Sequence, residues 1–312
     1  MSTGTDGTVR LWPLRPNPGA EPRIVHDWGG PLEVIVGSLA VSDNGRVVVA
    51  TGNEKFVRVI PLDGRPAYDL GEADQRVIRA AVSPDGRLVA VLGRYDGRYA
   101  IRVWDLESGG VDSIDLPEDP GWPPLGYPLE FSGDGRLFFS FASHVRSWNP
   151  ATKEIVSLFD KVWTFSLSGD GRRLIGRPGL AGEGEAVATV YDLENGTSTR
   201  LDSHGSDVMV LALDPTGAIA VTGDIYGDVR VGPASGDHPL LLTLDGVRVG
   251  AVAISPDGRW IAAGYADGSI RVWPMPDLTK PPLHELPHAE LLSRLRSLTN
   301  LRVVDDPEAP GE

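Results

Sequence analysis

Apolar residues recur in short alternating runs along most of this chain. Val249-Gly-Ala-Val-Ala-Ile254 is one, Arg259-Trp-Ile-Ala-Ala263 the next, and Ser269-Ile-Arg-Val-Trp273 a third. A period of two marks a half-buried strand. Between the first and second runs stands a turn, Ser255-Pro-Asp-Gly258. Equivalents recur as Ser42-Asp-Asn-Gly45, Ser83-Pro-Asp-Gly86, Ser132-Gly-Asp-Gly135, Ser168-Gly-Asp-Gly171 and Asp214-Pro-Thr-Gly217. Proline presets φ at the second position, and Asp or Asn tolerates the third. Glycine supplies the positive φ that closes a short hairpin. Each turn therefore predicts two antiparallel strands.

The turn glycines step by 41, 49, 36, 46 and 41 residues. A third run follows each hairpin after a small polar loop: Phe56–Ile60, Ala100–Trp104, His144–Trp148, Val187–Tyr191, Asp228–Gly232 and Ser269–Trp273. Thr8–Trp12 is a seventh without its hairpin. A weaker fourth run, such as Leu240–Leu244, completes most units. Four short strands per repeat of about 42 residues is the arithmetic of a propeller blade. No helical period separates the strands, which excludes a parallel α/β sheet.

Asp267-Gly-Ser-Ile-Arg-Val-Trp273 and Asp6-Gly-Thr-Val-Arg-Leu-Trp12 resemble the blade motif of WD-repeat propellers, in register with the turns. The resemblance runs from residue 1 to about 287. It implies an all-β, seven-bladed β-propeller: six full blades plus one incomplete N-terminal blade, with a short C-terminal helical tail. The family's best blades link a His, a Ser or Thr, an Asp and a Trp. Here the Trp is kept at Trp12, Trp104, Trp148 and Trp273, and the Asp six places earlier at Asp6 and Asp267. His204 alone falls at the His position. Its blade has Tyr226 and Gly232 at the Asp and Trp positions, so no complete set is expected. Stability must then rest on apolar packing between blades.

Composition narrows the function. The 312 residues suffice for a large core. Without cysteine there is no disulfide or thiolate chemistry. A net charge of −14 disfavours nucleic acid or an anionic membrane as partner. No apolar run approaches a membrane span. No secretory signal follows Met1 as written, so the expected compartment is the cytoplasm. Only four of the 29 basic residues are lysines, a bias that fits a GC-rich bacterial genome.

The catalytic candidates are weak. His284-Glu-Leu-Pro-His288 matches a zinc-protease pattern. Pro287 interrupts the helix that pattern needs, and the register predicts a fourth strand there. Gly179–Glu185 lacks the Lys-Ser/Thr of a phosphate loop and carries two carboxylates. No Gly-x-Ser-x-Gly elbow is present. No catalytic residue, metal ligand or cofactor is assigned. Arginine recurs two places before the Trp position, at Arg10, Arg58, Arg102, Arg146, Arg230 and Arg271. These stems are expected to pack between blades and reach nearby carbonyls or carboxylates.

If the blades follow the family's order, one rim gathers the loops between second and third strands and those joining blades. It collects Trp28, Tyr95, Trp122, Trp163, Tyr226 and Tyr265, with Asp6, Glu54, Asp96, Glu183, Glu185, Asp207 and Asp267 nearby. Aromatics are common binding anchors, although some of this set would instead cap the core or plug the channel mouth. Residues 1–287 are assigned to the propeller and 288–312 to the tail. In the tail, Ala289–Thr299 places Leu291, Leu292, Leu295 and Leu298 on one helical face, and Asp305–Glu312 is expected to be disordered. Seven third strands stand against six first-and-second pairs. The first blade is thus expected to be completed by residues upstream of Met1, or by Leu301–Val304.

The chain resembles the C-terminal propeller regions of large bacterial multidomain signalling proteins. That implies a non-catalytic protein-interaction scaffold binding a neutral or basic protein or peptide, or another domain of its own polypeptide. The competing reading is a lactonase-like or dehydrogenase-like propeller acting through its central channel. It requires His, Asp and Glu converging on inward strands. Those strands, such as Ala80–Val82 and Val252–Ile254, read as apolar or small.

Overall fold

The computed structural model describes residues 1–4, 6–12, 21–28, 38–51, 55–71, 73–74, 77–116, 127–178, 187–201, 204, 206–236, 239–243, 246–279 and 287–298. Seven antiparallel sheets follow one another along the chain. The first holds β1 (Ser2–Thr3), β2 (Thr8–Leu11) and β3 (Arg23–Asp27). The second holds β4 (Ser38–Val41), β5 (Val47–Thr51), β6 (Val57–Pro61) and β7 (Tyr68–Leu70). The third holds β8 (Arg79–Val82), β9 (Leu88–Tyr95), β10 (Arg98–Asp105) and β11 (Val111–Asp115). The fourth holds β12 (Leu129–Phe131), β13 (Leu137–Phe141), β14 (His144–Trp148) and β15 (Ile155–Asp160). The fifth holds β16 (Val162–Leu167), β17 (Arg173–Pro178), β18 (Thr189–Asp192) and β19 (Ser198–Arg200). The sixth holds β20 (Val208–Leu213), β21 (Ile219–Asp224), β22 (Val229–Pro233) and β23 (Leu240–Thr243). The last holds β24 (Val249–Ile254), β25 (Trp260–Tyr265) and β26 (Ile270–Pro274). The all-β, seven-bladed architecture is as the repeat predicts. In the first sheet, among the described residues, only the two residues of β1 stand on the inner side of β2.

The recurring turns explain themselves atom by atom. All six turn glycines have positive φ, from 66° at Gly45 to 82° at Gly135. The leading serine accepts the N–H that opens the second strand: Ser83 Oγ from Leu88 at 2.8 Å, and Ser168 Oγ from Arg173 at 3.0 Å. Asp214 does the same in the sixth blade, accepting from Ile219 at 2.7 Å. Successive turns also latch to each other. Asn44 N–H donates to Pro84 O at 3.2 Å, Gly133 to Gly169 O at 3.0 Å, and Asp170 to Pro215 O at 3.1 Å.

Alternation along each strand divides the core between neighbouring blades. Val47 and Val49 pack with Val89, Val91 and Trp104 of the third sheet. Val48 and Ala50, one residue out of phase, pack with Val9 of the first. Leu92, Ile101 and Val103 meet Leu137, Phe139, Phe141 and Trp148. Burying each such side chain contributes about 1.5–3 kcal/mol, so the inter-blade layers carry the stability.

Contacts divide the chain into Met1–Met275 and Pro276–Glu312. The second unit contains α1 (His288–Leu298), begun by Pro287, whose carbonyl accepts from Glu290 and Leu291, both at 2.9 Å. Leu291 and Leu292 are half-buried. His288 opens this helix rather than ending a strand. The remainder of the expected fourth strand, with His284, lies outside the described residues, as do Leu301–Val304 and Asp305–Glu312. Among the described residues no helix is long and apolar enough to cross a membrane.

Candidate functional site: the channel mouth

The first strands of six blades, β4, β8, β12, β16, β20 and β24, line one central cavity of about 540 Å³. It opens at the end where each second strand turns into the third. Ser38, Ala80, Gly250 and Ala251 give much of the wall the small lining the sequence suggests. Three ionisable side chains break it: Arg79 at the start of β8, Glu130 in β12 and Arg177 near the end of β17.

Arg79 Nε donates to the Tyr127 carbonyl at 3.2 Å, and burial pulls its pKa down against the attraction of Glu130. Arg177 is only 7% exposed; one Nη donates to Val208 O at 3.1 Å. Its Nε has no hydrogen-bond partner among the described residues. Glu130 accepts the Leu167 N–H at 2.9 Å and the Ser166 hydroxyl at 3.5 Å. Burial pushes its carboxyl up to about 7; the backbone donor and Arg79 only partly offset this. Glu130 also reaches a second, 310 Å³ cavity at the opposite end of the channel, between turns carrying Pro84, Gly133 and Pro215. The inward strands are therefore not wholly apolar.

The structure sorts the rim aromatics by exposure. Trp163 lines the channel mouth, and Tyr226, in the turn after β21, is 62% exposed. Trp28 is half-buried edge-on to His26, with ring centroids 4.6 Å apart. Tyr95 and Tyr265 are buried, at 5% and 6% exposure, beneath the guanidinium groups of Arg102 (4.0 Å) and Arg271 (5.2 Å). Burial pushes the Tyr95 hydroxyl up to about 12. Each ring thus lies against an arginine of its own blade. Trp122, Glu54, Glu183 and Glu185 lie outside the described residues.

Five arginines of the row, all but Arg146, are engaged within the molecule. Arg10 pairs with Asp6, Arg58 with Asp69 at 2.7 Å, and Arg102 with Asp96 at 3.8 Å. Arg230 donates to the His204 carbonyl at 3.5 Å and Arg271 to Thr243 Oγ1 at 3.1 Å. The blade-motif residues hold turns and layers. Asp6 accepts the Thr8 N–H at 3.1 Å and Asp267 that of Ser269 at 2.9 Å. Trp12 donates to Ser2 Oγ at 2.7 Å, and Trp104 and Trp148 are buried between blades, whereas Trp273 is half-buried.

His204 finds partners that its motif register does not suggest. Its Nε2 is hydrogen-bonded to Thr222 Oγ1 at 2.6 Å, and Nδ1 faces Asp224 Oδ2 at 3.6 Å. The carboxylate comes from Asp224, two residues before the motif position held by Tyr226. Asp224 also accepts from the Ser206 hydroxyl and from the N–H groups of Tyr226 (2.9 Å) and Asp228 (2.8 Å). Burial, reinforced by Arg230, pulls the His204 imidazole down to about 4 against Asp224. With Asp228 this is the group of metal-ligand type among the described residues, its ligand atoms within 4.8 Å of each other. Both Asp224 oxygens are already occupied by protein donors and the Arg230 guanidinium lies alongside. The arrangement is that of a hydrogen-bonding node.

The family model described as WD domain, G-beta repeat matches residues 239–274. An Arabidopsis thaliana protein described as autophagy-related protein 16 is 26% identical over 272 residues, covering 86% of this chain and 44% of that protein. The chain thus spans less than half of that relative's length.

Proposed function

We propose that this seven-bladed WD-repeat propeller is a non-catalytic protein-interaction scaffold whose working face is the channel mouth. The observation that carries the reading is the pairing of Trp163 at the mouth with the exposed Tyr226 on the same rim. An aromatic anchor beside a concavity is the usual centre of a protein-recognition surface. The partner fitted to it is a neutral or basic protein segment. The chain's −14 charge favours encounter with positive surfaces, and Asp96 on this rim keeps a side chain 96% exposed. The resemblance to bacterial multidomain propellers and the arginine bias support a regulatory role within a larger cytoplasmic signalling polypeptide.

The test is quantitative affinity capture with the wild-type propeller, a Trp163→Ala/Tyr226→Ala variant, and an Arg259→Ala control in the turn at the opposite rim. Partners should be retained by wild type and control and depleted at least tenfold on the double variant. Equal recovery on all three would remove the channel mouth as the working face. One observation favours a second reading, a ligand held inside the channel: the charged groups Arg79, Glu130 and Arg177.

A further inference from the structure

Two arginines line the central cavity, Arg177 buried and Arg79 half-buried, and among the described residues neither makes an ion pair. Arg79 and Arg177 each spend a donor on a backbone carbonyl, and Arg177 Nε, in a residue more than nine-tenths buried, remains without a partner. Glu130, the carboxylate lining this cavity, is held by Leu167 N–H and Ser166 Oγ. A guanidinium withdrawn from water needs a counter-charge or a full set of acceptors, and for Arg177 both are short. The space is ample, since 540 Å³ lies in the range of small-ligand pockets. Tyr127, Trp163 and Phe165 add apolar and aromatic surface to the same wall.

We propose that the channel mouth binds a carboxylate, carried on an apolar or aromatic body, between Arg79 and Arg177. The charge count selects the class. Above about pH 7, where Glu130 is ionised, two guanidinium groups against one carboxylate leave a single positive charge, which a monoanion neutralises and a phosphate dianion would exceed. The planar guanidinium fork matches a carboxylate's two oxygens. The source of that carboxylate is either a free small acid or the end of a peptide. The inference deepens the reading of the channel mouth as the working face, but its readout requires no protein partner. The two therefore fail separately.

The test is calorimetric titration of the full chain with phenylacetate and with neutral phenylacetamide at fixed ionic strength. A second arm uses an N-acetylated tripeptide ending in phenylalanine, with a free or an amidated carboxyl end. Saturable binding of either acid, at least tenfold weaker for its amide and at least tenfold weaker in Arg177→Gln and Arg79→Gln, supports the site. Which arm responds identifies the source. Circular dichroism establishes that the variants fold. Should Arg79→Gln fail to fold, the exposed control Arg259→Gln against Arg177→Gln carries the comparison. No saturable binding in either arm, or binding that ignores the arginine substitutions, would overturn it.

Discussion

Replacing Glu130 by glutamine separates the electrostatics of the channel from its packing. The wild-type carboxyl is buried and its pKa is pushed up to about 7 from an ordinary 4.5. In the unfolded chain it loses its proton near pH 4.5, while the folded chain keeps the proton until about pH 7. Across that window the folded state binds more protons, so stability falls as pH rises. Each unit between the two values is worth about 1.4 kcal/mol, so ionisation costs the folded state about 3 kcal/mol, most of it between pH 5 and 8. Glutamine keeps an acceptor for the Leu167 N–H and cannot ionise. The assay is urea unfolding, followed by tryptophan fluorescence, of both proteins from pH 5 to 8. The stability of Glu130→Gln relative to wild type should grow by about 2–3 kcal/mol across the range. Other groups titrate in both proteins and cancel in the difference. Parallel profiles would refute the reasoning and mean that the carboxylate is compensated inside the ring.

His204 sets the acid limb with the opposite sign. Its folded value of about 4 lies below the ordinary 6.5, so the unfolded chain takes up the proton first. Stability should fall by about 3 kcal/mol as pH drops from 6.5 to 4, and that limb should flatten in His204→Gln when measured by the same urea titration. Phe139→Ala, at a side chain 1% exposed between the third and fourth blades, should cost about 3–5 kcal/mol in denaturant unfolding. Gly133→Ala would place a carbon 2.2 Å from the Gly169 carbonyl and break the latch between two turns; a loss of about 1–3 kcal/mol is expected. Gly264→Ala meets nothing within 4 Å and should change the urea midpoint little.

The repeat was legible because its determinants are local. A serine or aspartate, then a proline, glycine or aspartate, then an aspartate, asparagine or threonine, and a positive-φ glycine specify the hairpin at all six turns. The alternating runs on either side then fix which residues face which neighbour, as with Val47 and Val49 against Val48 and Ala50. The channel was not legible in the same way. Arg79, Glu130 and Arg177 belong to three blades, and only the ring brings them to one cavity. In sequence each looks like a polar residue in or beside a strand. Asp224 escaped the motif because it reaches His204 from the end of β21, two residues before the expected position. The Thr222-Gly-Asp224 step, with an acid closing a buried strand, was the available signal. Tyr95 and Tyr265 read as rim anchors because both precede a polar turn. Each instead lies beneath an arginine of the third strand in its own blade.

The most direct test of the channel mouth as the working face is hydrogen–deuterium exchange on the propeller with and without a partner recovered by the paired capture. Protection should appear at the starts of the inner strands, around Trp163–Phe165 and Val208–Val210, and in the turn bearing Tyr226. The turns at the opposite rim, Ser83–Gly86 and Ser255–Gly258, should exchange unchanged. Protection confined to those opposite turns, with none around Trp163 and Tyr226, would contradict the account.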